Sequence, residues 1–513
     1  MMNVEQGTTN DEVCQAGRIP SFDIQHSLFV IRYFILVIFS VLCSPKITAQ
    51  DIPDTLSLQQ FLDLTEQYTL QQKRAIQDLS IAELNYQLFQ ARFKPQLSLF
   101  GTIPNFRRTF SETVQPNGTI QFQPISNNNS FASLYASQRI SKTGAVVFAQ
   151  SSLQRFDDFD SDFNQYNGSP IRVGIEQPIF AYNQWKWDQQ IEPLVREEAR
   201  KKYAFDLEQA KTLASGFFFN LLLANNNLEL AISNENSIQT LFKIAEERYE
   251  LGKISQRDLL QLEVELASAT SNKQAALREV KRISTDILTF LGSENDRLLI
   301  PQLPETLENL AIPEEKALQE ALLNRFEILS AQIEKLRASS EIERAKRENG
   351  IQLLLNASAG YVGSSKDLNP IYTMARNEQA ISIEFNVPIV DWGQRRDAIK
   401  IANIQQEFTR YKVQQDQLQI RAQVRQILDQ FKSLQTEVQL AANIQNLASK
   451  RYQISTESYV LGAISLTELT LSQREKDQAK RQYINVLSQY WQMYQLLKMN
   501  TLYDFEKGER IDY

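Results

Sequence analysis

The side chains that usually make and break bonds are scarce in this sequence, and they stand apart from its bulk. The 513 residues include one histidine, His26, and two cysteines, Cys14 and Cys43. All three fall within or before the one strongly apolar run, FVIRYFILVIFSVLC (Phe29 to Cys43), which ITAQD follows. A short apolar core followed by a small residue is the pattern of a secretory signal, with cleavage expected after Ala49. An uncleaved N-terminal anchor is the alternative. Lipidation of Cys43 is disfavoured by Leu42, since such sites prefer a small residue there. Cleavage would leave a chain with neither imidazole nor thiol. That excludes disulfides, thiolate nucleophiles, imidazole bases and the usual transition-metal ligands, so no metal and no cofactor are expected. The acid pair Asp157/Asp158 sits in an Asp/Asn/Ser-rich stretch and reads as solvated surface. The sequence has no G-x-S-x-G elbow, P-loop or G-x-G-x-x-G fingerprint, so no enzyme is expected. A net charge of -7 carries no nucleic-acid footprint.

What the sequence does repeat is a turn. RYELGKIS (Arg248 to Ser255) returns as SYVLGAIS (Ser458 to Ser465). Tyr249, Leu251, Gly252, Ile254 and Ser255 pair with Tyr459, Leu461, Gly462, Ile464 and Ser465 at a constant offset of 210 residues. Glycine suits a tight turn between antiparallel helices because it tolerates positive φ, and a plain helix cap would use it equally well. The copies differ just beyond the turn, with Arg257 and Asp258 in one and Thr467 and Glu468 in the other.

The turns belong to a larger duplication. QPIFAYNQW (Gln177 to Trp185) matches VPIVDWGQR (Val387 to Arg395), again offset by 210. PQLSLFG (Pro95 to Gly101) matches IQLLLNAS (Ile351 to Ser358) at an offset of 256, so the first half carries 46 extra residues between these points. The first repeat is expected over 51–302: helix 57–93, strands and an extra hairpin 94–180, long helix 183–248, tip 249–255, helix 256–291. The second is expected over 303–499: helix 314–349, strands 351–390, long helix 392–456, tip 458–465, helix 466–498. Residues 1–50 form an N-terminal extension with the signal peptide, and 500–513 a C-terminal tail.

Each element has a local cause. Only 16 Gly and 15 Pro, with long Ala-, Glu-, Gln- and Leu-rich blocks, favour long helices. A helix of some 65 residues would be about 100 Å long. The seam Leu262, Leu266, Ala269, Lys273, Ala276, Val280, Ile283, Ile287 and Phe290 repeats in 4-3 steps. Val424, Ile427, Phe431, Leu434, Val438 and Ala441 do the same in the second copy, as coiled-coil packing requires. Apolar and polar residues partly alternate in 94–110, 172–180, 353–363 and 380–390, and again in the surplus at 131–140 and 145–156. The stretches around 111–130 and 157–169 read as solvent-facing loops, and 293–315 as a belt around the middle.

This duplicated order, the two Y-x-L-G-x-I-S turns and the QPIF and VPIV strand ends together resemble the TolC-like outer-membrane efflux proteins, over roughly Leu56 to Met499. The resemblance implies a mainly α fold with a membrane β-barrel: a homotrimer whose shared barrel continues into a coiled-coil tunnel across the periplasm. It implies localisation in the cell outer membrane, contact with outer-membrane lipid and a passive role as exit duct. The duct would serve a tripartite efflux pump or a type I secretion system, with a periplasmic adaptor and an inner-membrane pump of RND, ABC or MFS type as partners. It makes the two turns adaptor-docking tips. It also puts an aperture gate at Asp258, Tyr459 and Glu468, with Ile464 in place of the family's latch arginine and Leu471 in place of a second acidic residue. A ring of carboxylates from Glu468 would favour cations. The alternative is an exported coiled-coil scaffold without a pore. For the surplus, a hairpin added at the mouth of a twelve-stranded barrel is favoured over eighteen strands. The reason is that Arg139, Lys142 and Arg155 would be costly against lipid.

Overall fold

The computed structural model describes residues 53–511, except 295, 307–309, 462 and 465. The apolar run at 29–43, its expected cleavage point, His26 and both cysteines lie outside the described residues.

Two helices of equal length dominate the described chain. α3 spans Gln184–Glu250 and α8 spans Gln394–Val460, each of 67 residues. At 1.5 Å per residue each is about 100 Å long. Shorter helices flank them. α3 packs against α1 (Leu58–Tyr68) and α2 (Leu70–Ala91), and then against the returning α4 (Gln256–Phe290). α8 packs in the same way against α5 (Glu314–Asn324), α6 (Phe326–Glu348) and α9 (Leu466–Thr501). The seam residues Ala269, Val280, Ile283 and Ile287 are buried, as are all six of the second seam. Near the midpoints of the long helices the seam widens to take rings. Phe218 and Phe219 pack with Phe61 in one repeat, and Phe431 stacks on Tyr490 at 5.1 Å in the other. Each fully buried ring of this kind contributes roughly 1.5–3 kcal/mol.

The helices expected over 57–93 and 314–349 are each interrupted once. The breaks fall at Thr69 (φ -67°, ψ 149°) and Arg325 (φ -65°, ψ 133°), one extended residue in each copy. They stand 256 residues apart, the offset of the strand motifs, so the break is itself duplicated. Thr69 caps α2 by accepting from the Gln72 N–H. Arg325 is buried and donates to Gln423 and Asn500.

Seven strands form one antiparallel sheet: β2 (Gln96–Thr102), β3 (Phe106–Val114), β4 (Ile120–Ile140), β5 (Ala145–Asp158), β6 (Phe163–Ile179), β8 (Gln352–Ser365) and β9 (Arg376–Asn386). The order is β2-β4-β5-β6-β8-β9, with β3 beyond β2 on the upper half of the 21-residue β4. This corrects two expectations. The stretches 111–130 and 157–169, read as loops, are largely strand, the second broken only by the turn at 159–162. The surplus hairpin, read as an addition at the mouth, is β4 and β5 and lies between β2 and β6 as a full part of the sheet.

Cross-strand register explains why the charges do not prevent this. Residues paired across the sheet share a face. One face carries Leu97, Leu134, Val147, Val173, Leu355 and Ile383, contributed in turn by β2, β4, β5, β6, β8 and β9. The opposite face carries Ser98, Ser137, Gln150, Arg172, Asn356 and Glu384. Arg139 lies on this polar face, with its guanidinium 4.7 Å from the Trp185 ring. Lys142 is in the β4–β5 turn. Arg155 lies past the end of the apolar stretch and pairs with Asp157 at 2.9 Å.

A belt surrounds the helices near their middles. β1 (Thr55–Leu56) pairs in parallel with β7 (Ile300–Pro301). After α9 the chain folds into the small hairpin β10 (Tyr503–Asp504) and β11 (Glu509–Arg510) instead of trailing as a tail. Lys316 donates to the Tyr503 hydroxyl at 2.6 Å, and Arg510 to Glu320 at 2.9 Å. The remaining helix, α7 (Asn369–Thr373), bridges β8 and β9.

Candidate docking and gating tips

Each long helix ends in a turn that reverses the chain. At the end of α3, Lys253 N–H donates to the Arg248 carbonyl at 2.8 Å, and Gly252 N–H to the Tyr249 carbonyl, also at 2.8 Å. This is the Schellman arrangement, which satisfies the last carbonyls of a helix and requires a left-handed residue just past its cap. Gly252 is that residue, with φ +70°. A Cβ there would meet nothing within 4 Å, so glycine is needed for its backbone angle and not for space. At the end of α8, Ala463 N–H donates to the Ser458 carbonyl at 2.9 Å. It is the same bond at the same position, 210 residues on. Gly462 and Ser465 lie outside the described residues, as does the side chain of Tyr459.

Ser255 then starts α4. Its hydroxyl accepts from the Asp258 N–H at 3.3 Å, while the Asp258 carboxylate accepts from the Ser255 N–H and hydroxyl. This is a capping box, and a negative charge in the first turn also suits the helix dipole. Hydrogen bonds from Ser255, first its hydroxyl and then its backbone, hold the Asp258 carboxyl below the ordinary aspartate range, and Arg257 adds to this. Sequence reasoning gave Asp258 a gating role only. Its capping role was carried by the spacing Ser-x-x-Asp, a helix-start signature. Glu468 is the same position in the second repeat, exposed in the first turn of α9. The structure therefore places Asp258 and Glu468 at matching points behind the two tips.

The tips present apolar side chains to water. Leu251 is 68% exposed and Leu461 83%, while Ile254 and Ile464 are half-buried. Tyr249 is exposed and Leu471 is exposed on α9. Polar links hold the helices behind the tips. Lys273 of α4 meets Glu235 of α3 at 2.6 Å, which pulls the Glu235 carboxyl below its ordinary range, with Thr270 helping. Arg451 of α8 pairs with Glu475 of α9. Lys480 of α9 reaches Glu229 of α3 at 3.1 Å and so joins the two hairpins. Among the described residues no cluster of His, Cys, Asp or Glu could hold a metal ion, and no helix is long and apolar enough to cross a membrane.

The sequence and the fold find the same relatives. The family model described as outer membrane efflux protein matches residues 317–499. No curated protein sequence matches the chain. Among solved structures, a membrane protein from Pseudomonas aeruginosa matches with a TM-score of 0.62 at 14% identity, over 88% of this chain and 92% of that one. The CmeC outer membrane channel of Campylobacter jejuni matches with a TM-score of 0.61 at 14% identity, over 89% and 87%. The outer membrane protein VceC of Vibrio cholerae matches with a TM-score of 0.56 at 12% identity, over 89% and 97%. At such identities the structures establish the fold, an α-helical tunnel element joined to a strand sheet. The second repeat thus matches the outer membrane efflux protein family model, and the described chain as a whole is similar in fold to solved outer-membrane channels.

Proposed function

We propose that this chain is the outer-membrane exit duct of a tripartite efflux pump or type I secretion system. Three copies form the channel, with the sheets sharing one barrel in the outer membrane and the helices forming a tunnel in the periplasm. The duct is passive. A periplasmic adaptor, itself bound to an inner-membrane pump, docks on the ring of tips. The observation that carries this reading is the pair of tips. Two helices of 67 residues end in the same turn, and each turn exposes a leucine at its apex. An exposed apolar residue at the apex of a rigid hairpin suits a partner surface, and six such apices would ring the inner end of a trimer. The aperture gate at Asp258, Tyr459 and Glu468 belongs to the same proposal, with the carboxylates behind the tips facing cations that pass through. A pore-free scaffold accounts for the helices. It gives no reason for a sheet in which six strands share one apolar face.

Leu251→Glu combined with Leu461→Glu tests the docking role. Both side chains are exposed, so folding and trimer insertion should be unchanged. Export and adaptor capture in a pull-down should be lost. Export at the unmodified level in the double variant would refute the tip assignment.

A further inference from the structure

We infer that each protomer contributes six strands to the barrel wall, so that three copies close an eighteen-stranded barrel, with β9 of each copy pairing with β2 of the next. The inference rests on the trimeric duct proposed above and adds the size and composition of its wall.

Three observations support it. First, the apolar face continues across the surplus hairpin, interrupted only by Gln138 and Ser151. Leu134 and Ala136 of β4 and Val147 and Ala149 of β5 stand in register between Leu97 and Leu99 of β2 and Val173 and Ile175 of β6. A hairpin folded over the mouth would have no use for that pattern. Second, the polar face is stitched across the same strands. The Tyr135 ring stacks on Phe148 at 5.7 Å, and Phe148 covers Gly174 on the neighbouring strand. A Cβ at Gly174 would overlap the Phe148 ring, so this glycine is fitted to β5 as its neighbour. In a twelve-stranded wall β6 would pair with β2 and Phe148 would lose this seat.

Third, both outer edges are ready for a copy of the chain. β2 and β9 end the strand order, and their apolar residues Leu97, Leu99, Ile381 and Phe385 lie exposed on the same face. Open edges are not tolerated in lipid, because unpaired backbone groups there are costly. Six antiparallel strands make β9 run opposite to β2, so the edge of one copy meets the next in the antiparallel sense that membrane barrels use. The occupant of each edge is therefore a second copy of this chain.

The test is depth-sensitive quenching on the intact trimer. Single cysteines replace Val147 or Ala149 on the apolar face of β5, Gln150 on the polar face, and Ile381 on β9. Each is labelled with a fluorophore in vesicles of lipids brominated on their acyl chains, and the mass of the extracted particle is measured alongside. The expected result is a trimer with strong loss of emission at positions 147, 149 and 381 and little at 150. A trimer quenched at 381 but not at 147 or 149 would place the hairpin outside the wall. It would overturn this inference and leave the duct reading intact. A particle that is not trimeric and is unquenched at 381 would overturn both.

Discussion

Asp258 shows how one side chain can join fold and function. Its carboxylate closes the cap of α4, and the same group faces the aperture in the proposed channel. Removing Ser255 by Ser255→Ala should cost about 1 kcal/mol in the first turn of α4, the usual cost of an N-cap. Hydrogen exchange should find the fraying confined to the tip. The cap should also have a characteristic pH dependence. A carboxyl held below its ordinary range in the folded state stabilises the fold wherever it is ionised, and that contribution disappears as pH falls through the lowered value. Exchange protection behind the first tip should therefore persist from neutral to mildly acidic pH. It should decline progressively once pH falls through the range where an ordinary aspartate titrates, and be gone only after the lowered value is passed. Complete loss of protection already at the ordinary value would show that the Ser255–Asp258 box does not form.

Between the tips and the sheet, the elements are fixed by a belt that leaves few marks in the sequence. Asp504 accepts from Tyr494 at 2.9 Å and from Lys498 at 2.8 Å, and it is almost fully buried. Burial alone would raise its carboxyl, but Lys498, the Lys507 N–H and the Tyr494 hydroxyl outweigh that and hold it low. Asp504→Ala leaves the half-buried Lys498 without its counter-charge and the Tyr494 hydroxyl without its acceptor, and should destabilise the protein by about 2 kcal/mol. The midpoint of unfolding should fall, and proteolysis should reach residues 502–511. Glu509→Ala, on an exposed side chain of the same hairpin, should do neither. The contrast between belt and helices shows what a sequence displays. The seams of α4 and α8 were legible because each apolar residue recurs at helical spacing and meets its neighbour helix directly. The breaks at Thr69 and Arg325 were not legible, since neither has a Pro or Gly beside it and tertiary packing alone selects the extended residue. β3 was only half visible. Phe106 to Phe110 fall in the stretch read as strand, but Arg108 and Glu112 interrupt the apolar residues Phe106, Phe110 and Val114 on one face, and the Asn-, Gln- and Ser-rich partner strand makes 111–130 read as loop. The tips were legible as a repeat, whereas which of their residues cap and which face outward followed only from the turn geometry.

For the whole molecule, the duplication explains the architecture. One unit of broken helix, strands, long helix, tip and returning helix occurs twice, and the surplus in the first copy goes entirely into the sheet. The unit does not close on itself. The sheet ends in two open edges, and its apolar face has no covering layer among the described residues. Both are resolved if copies assemble around an axis in lipid, as proposed above. The fold was therefore legible from repeats and spacing, while the place of the surplus hairpin within the sheet depended on strand register, which composition does not reveal. The most direct test of the account is to fractionate membranes of cells expressing the full chain, extract it with mild detergent and measure the mass of the particle. The account predicts recovery in the outer-membrane fraction as a particle of three copies. Recovery as a soluble particle, or as a single copy, would contradict it.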